Sequence, residues 1–125
     1  MERITSESST YLPAYDFTLE GKLILEGRSI PENACKFYDQ LIDFAGELDT
    51  EYVIFNINLD YFNTASSKKI LDLLKRLDSN QKIKRIQVNW HYEEGDDSSL
   101  ETAEIYEECL KRIEFKFHEY AETSN

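Results

Sequence analysis

Basic residues are scarce in this chain: 14 Lys and Arg stand against 25 Asp and Glu, a net charge of −11. That shortage argues against a nucleic-acid surface, where phosphates are neutralised by Lys and Arg, and against docking on anionic lipid. It suits a protein partner with a basic face. Glycine is nearly as sparse. The four glycines never fall in GxGxxG or GxxxxGK[ST] spacing, so neither common phosphate loop is present.

Two cysteines, Cys35 and Cys109, occupy apolar-looking helical positions without CxxC spacing. They read as small buried hydrophobes, and neither a disulfide nor a metal site is expected. No apolar run approaches the ~20 residues of a spanning helix. The opening MERITSESST lacks the basic and apolar regions of a secretory signal, so the expected location is the cytoplasm.

Signals for catalysis are thin as well. His91 and His118 stand on predicted strands without HExxH or paired-His spacing, and read as structural or surface residues. Glu93, Glu94, Asp96 and Asp97 do not match a calcium-binding loop and read as a solvated turn. Nothing makes a positive case for an enzyme, a cofactor or a metal.

What is present is material for one domain. Hydrophobic residues make up 41% of 125, enough for a single core. Residues 1–12 are polar and expected to be loosely ordered, 13–120 form the domain, and 121–125 are a tail. AYDFTLEGKLILEG reads as a hairpin with strands near 14–19 and 22–27. Ala34, Phe37, Tyr38, Leu41, Ala45 and Leu48 mark a helical stripe ending near Leu48, with Ser29 or Asn33 as its cap.

Val53, Phe55, Ile57 and Leu59 alternate along a central strand. Ile70, Leu73, Leu74 and Leu77 define a second helix. Ile86, Val88 and Trp90 mark another strand. A third helix follows, with Ser98 and Glu101 as a capping box and Ala103, Tyr106, Cys109 and Leu110 as its apolar face. Ile113, Phe115 and Phe117 close the chain as a strand. The predicted order is β-β-α-β-α-β-α-β: an α/β single domain whose mixed sheet opens with a hairpin and carries three main helices.

One junction holds more than local structure needs. Between the central strand and the second helix lies Tyr61-Phe62-Asn63-Thr64-Ala65-Ser66-Ser67. Asn63 or Thr64 suffices as a cap, yet Ser66 and Ser67 crowd the same turn. A helix start has free N–H groups and the positive end of the dipole, so it accepts an anion or a covalent phosphate, with Lys68 one turn on. The chemistry alone does not choose among Thr64, Ser66 and Ser67.

LEGRSIPENACKFYDQL, LDYFNTASSKKILDLL, VNWHYEEGDDSSLETAE and the final FKF resemble, in order and spacing, the SiaC family of bacterial regulatory phosphoproteins. The resemblance runs from about Pro13 to Tyr120. This chain carries Arg28 where the family more often has Glu, Ala65 for a usual Ser, and His91 where an aromatic is commoner. The resemblance implies a STAS-like fold and partner switching. It implies that Thr64 is phosphorylated by a dedicated kinase and dephosphorylated by a PP2C-type phosphatase. The unphosphorylated form would activate a diguanylate cyclase, raising cyclic di-GMP and favouring biofilm or aggregation. Tyr61, Phe62, Asn63, Ser66, Ser67 and Lys68 are then the expected partner-binding residues. The competing expectation is an anion-binding or small-molecule module that uses the Asn63–Ser67 turn without covalent modification.

Overall fold

A computed structural model describes residues 1–122; the last three residues of the expected tail lie outside the described residues. The chain runs β1 (Ile4–Ser6), β2 (Ala14–Phe17), β3 (Lys22–Ser29), α1 (Ala34–Glu47), β4 (Tyr52–Phe62), α2 (Thr64–Ser79), β5 (Arg85–Glu93), α3 (Asp97–Cys109) and β6 (Ile113–Tyr120). The strands form one six-stranded sheet in sequence order. β1–β2 and β2–β3 are antiparallel, and β3 to β6 are parallel neighbours joined through the three helices. Successive right-handed crossovers that advance in one direction place every helix on the same face.

Side-chain alternation fits that arrangement. Leu23, Leu25, Val53, Phe55, Ile57, Leu59, Ile86, Val88 and Trp90 turn inward and are buried. They meet Phe37, Tyr38, Leu41, Phe44 and Ala45 of α1 and Ile70, Leu73, Leu74 and Leu77 of α2. The helical stripes expected from the sequence are therefore the faces that pack. At the far end of this layer, buried Asn80 donates to the carbonyls of Ala45 and Leu48 at 2.9 and 2.8 Å, joining the ends of α1 and α2.

Three expectations change, and of the two caps expected for α1 one is chosen. The N-terminal segment contributes the short edge strand β1, which pairs Ile4 to Ser6 with Phe17 to Tyr15. A bidentate Arg3–Asp16 contact (2.7 and 2.8 Å) accompanies that pairing; three mostly polar residues gave no local strand signal. Both cysteines are exposed rather than buried. Cys35 is one residue off the α1 stripe, a rotation of about 100°, and Cys109 follows Tyr106 at the fraying end of α3. α1 is capped by Asn33, whose side chain accepts from Lys36 N at 3.0 Å. α3 is capped by Asp96, which accepts from Ser99 N at 3.1 Å, and not by Ser98. Gly95 (φ +90°) turns the chain so that Asp96 arrives first.

Candidate functional site

The β4–α2 junction is shaped by a β-bulge. Gly27 pairs with Leu59 but Arg28 pairs with Tyr61, so Asp60 is an extra residue on β4. Plain alternation after Leu59 would turn Tyr61 into the core. The bulge instead leaves Tyr61 54% exposed, beneath the Arg28 guanidinium at 5.9 Å. Phe62 turns inward and meets Trp90 edge-on, with ring centroids 6.1 Å apart. The two aromatics beside the helix start thus divide, one outward and one onto the core.

Asn63 performs the capping. Its Oδ1 accepts from Ser66 N at 2.8 Å, its carbonyl from Ser67 N at 2.9 Å, and its own N–H donates to Ser29 O at 3.1 Å. Ser66 is fully buried. Its hydroxyl donates to Ser29 O at 2.9 Å and accepts from Ser29 Oγ at 2.8 Å, while Tyr38 OH lies 2.6 Å from Ser29 Oγ. Since Ser29 already gives its proton to Ser66, Tyr38 is the donor in that last contact. Burial pushes the Tyr38 hydroxyl up to about 12, partly offset by its serine contacts, so it keeps that proton. Ser66 is therefore an internal strut, and its place among the surface residues expected from the sequence is corrected. Position 66 lies four residues before Ile70, on the buried stripe of α2.

Ser67 is half-buried and faces α3. Tyr106 OH donates to Ser67 O at 2.6 Å, and Ser67 Oγ lies 2.9 Å from the same hydroxyl. Burial pushes Tyr106 up to about 12. Thr64, the first residue of α2, is exposed and free of the capping duty that Asn63 performs. Ala65 and Lys68 are exposed beside it.

A cavity of about 240 Å³ opens at this point, with Asp60, Phe62, Thr64 and Ser67 on one side and Asp96 and Thr102 on the other. It sits where the parallel strands β4 and β5 end and α2 and α3 begin. Trp90 Nε1 donates to Ser99 Oγ at 2.9 Å and pins the start of α3 to β5. Among the described residues, no three His, Cys, Asp or Glu side chains are grouped to hold a metal ion. No helix there is long and apolar enough to cross a membrane.

The SiaC family of regulatory phosphoproteins has a sequence model that matches residues 6–120. The chain belongs to that family. An uncharacterized protein of Pseudomonas aeruginosa (strain UCBPP-PA14) is 30% identical over 107 residues, covering 79% of this chain and 82% of that protein. The crystal structure of apo-SiaC from P. aeruginosa superposes with a TM-score of 0.76 at 25% identity, over 94% of this chain and 99% of that one. A chain in the crystal structure of the diguanylate cyclase SiaD in complex with its activator SiaC, also from P. aeruginosa, shares the fold. Its TM-score is 0.81 at 23% identity, over 94% of this chain and 99% of that one. The α/β domain expected from the sequence is thus the fold of SiaC structures, and the resemblance seen in its motifs is family membership.

Proposed function

We propose that this protein is a non-enzymatic cytoplasmic switch in which phosphorylation of Thr64 releases a diguanylate cyclase that the unmodified form binds and activates. A kinase and a PP2C-type phosphatase would set the state of Thr64. Family membership supports the phosphoprotein reading, and the P. aeruginosa SiaC named as an activator of SiaD supports the choice of effector. The observation that carries the choice of residue is the division of labour at the helix start. Asn63 caps, Ser66 is buried and Ser67 is held by Tyr106, so of the four polar side chains Thr64 alone presents an uncommitted hydroxyl to solvent.

Magnitudes favour blocking over refolding. A ~100-fold change in affinity is about 2.8 kcal/mol. Stabilisation of a phosphate by the α2 dipole supplies roughly 0.3–1 kcal/mol, too little alone. A dianion forced against a docked partner costs several times more through desolvation and like-charge contact. Tyr61, Phe62, Asn63, Ser67 and Lys68 frame the surface that would be blocked, with exposed Tyr61 as the aromatic anchor. Asp60 and Asp96 in the same cavity disfavour the alternative of a free-anion cradle, because they repel an unattached phosphate.

Mass spectrometry of the protein from its native host tests the assignment. One phosphate on the Leu59–Lys68 region, lost in Thr64→Ala, is expected. Phosphate that persists in Thr64→Ala, or none under any growth condition, would overturn it.

A further inference from the structure

We propose that the helix-free face of the sheet is a docking surface for a second copy of this chain. Parallel strands are ordinarily covered on both faces, yet β3 to β6 carry helices on one only. The centre of the other face is Ile54, Asn56 and Asn58 of β4 with Gln87, Asn89 and His91 of β5, all half-buried and none an acid, Lys or Arg. That absence stands out in a chain with 31% charged residues. Charge depletion at the middle of a patch, with Tyr and Arg nearby, is the composition of an interface. Exposed Ile24 (37%) and Tyr52 (40%) border the patch, and Arg85 lies over the Tyr52 ring at 5.3 Å.

Three of the central amides, Gln87, Asn89 and Asn56, can lose water cheaply because they already bond one another, whereas Asn58 Oδ1 is buried without a partner. Gln87 Nε2 donates to Asn89 Oδ1 at 2.9 Å, and Asn89 Nδ2 donates to Asn56 Oδ1 at 3.0 Å.

Charge selects the occupant. Lys22, Ile54, Gln87 and Glu114 form one row across β3 to β6; Glu26, Asn58, His91 and His118 form another. β3 and β6 lie at equal distances on either side of the uncharged β4–β5 centre. A two-fold axis in the interface, parallel to the strands, therefore sets Lys22 of one copy over Glu114 of the other. The same operation sets Glu26 over His118, two residues along from Lys116 on the same face. Opposite charges meet at the Lys22–Glu114 corner, and that contact occurs twice. α3 offers no such match with itself: it carries Asp97, Glu101, Glu104, Glu107 and Glu108 with no basic residue, so two copies meeting through that helix repel. The four strands that overlap under this axis span roughly 19 by 26 Å, about 500 Å² in projection, the size of a weak, concentration-dependent interface.

Sedimentation velocity on the full chain, from about 5 to 500 µM, tests the proposal. A monomer–dimer equilibrium is expected, with Ile24→Glu weakening it at least ~10-fold. Lys22→Glu should also weaken it, and the double variant Lys22→Glu/Glu114→Lys should restore it. Circular dichroism on each variant keeps a folding defect from passing for a lost contact, and recovery in the double variant excludes one. A monomer at every concentration would overturn the proposal. So would a dimer indifferent to Ile24→Glu and Lys22→Glu, or one that Glu104→Lys on α3 alone disrupts. Protection of this face only on adding a diguanylate cyclase would assign it to that partner and overturn the second copy.

Discussion

Tyr106 and Ser67 join α3 to α2 through a single phenol: its hydroxyl donates to the Ser67 carbonyl at 2.6 Å and meets the Ser67 hydroxyl at 2.9 Å. This contact holds Ser67, which lines the cavity beside Thr64, and keeps a second serine hydroxyl engaged.

Tyr106→Phe removes both hydrogen bonds while keeping the ring against Trp90. The expected loss is roughly 1–2 kcal/mol in urea unfolding. Faster amide exchange in α3 than in α1 should accompany it. Unchanged stability and exchange would mean that the clasp holds nothing.

Ser66 and Thr64 should separate sharply on substitution. Ser66→Ala strands the buried Ser29 hydroxyl without its acceptor and should cost about 1–3 kcal/mol. Ser66→Asp, forcing a charge into the same place, should be worse. Thr64→Asp, at an exposed first turn, should move the melting temperature little, because the α2 dipole favours the charge while Asp60 and Asp96 oppose it. Parallel thermal melts of the three variants decide this.

The open sheet face should register in the pH dependence of stability. His91 and His118 stack with ring centroids 4.8 Å apart. Burial, with the His118 charge second, pulls His91 below its ordinary range. A depressed folded-state value means that protonation opposes folding. The His91 contribution is therefore fully present above about pH 6.5, the unfolded value. It is lost as pH falls from there through the folded value, and levels off below it. NMR titration should find His91 titrating below the ordinary imidazole range, and urea midpoints in His91→Gln should lose part of this dependence.

Gly21 is fixed by backbone. Its φ is +93°, and an added Cβ would lie 2.2 Å from the Tyr52 carbonyl oxygen. Gly21→Ala should therefore destabilise by roughly 1–3 kcal/mol, read from chemical denaturation. Cys35 and Cys109, by contrast, should both react with a thiol reagent in the native protein, since both are exposed.

Periodicity made most of the fold legible. The stripes of α1 and α2 and the inward residues of β4 and β5 all follow from 3.6- and 2-residue repeats, which burial on one face imposes. Features set by long-range pairing were hidden. β1 exists only against β2, and the bulge at Asp60 depends on the register with Gly27. At the site, the polar crowding around Thr64 was visible but its partition was not. Ser66 could have been assigned to the interior from its spacing to Ile70. That Tyr106 would claim Ser67, 39 positions earlier, required the packing of α3 beside α2.

The central claim is that phosphate on Thr64 controls binding. Isothermal titration of a diguanylate cyclase partner with the unmodified protein, and with protein carrying phosphothreonine at position 64, tests it most directly. Phosphorylation should weaken binding by ~100-fold, with Thr64→Ala matching the unmodified protein. Equal affinity of the two forms would contradict it.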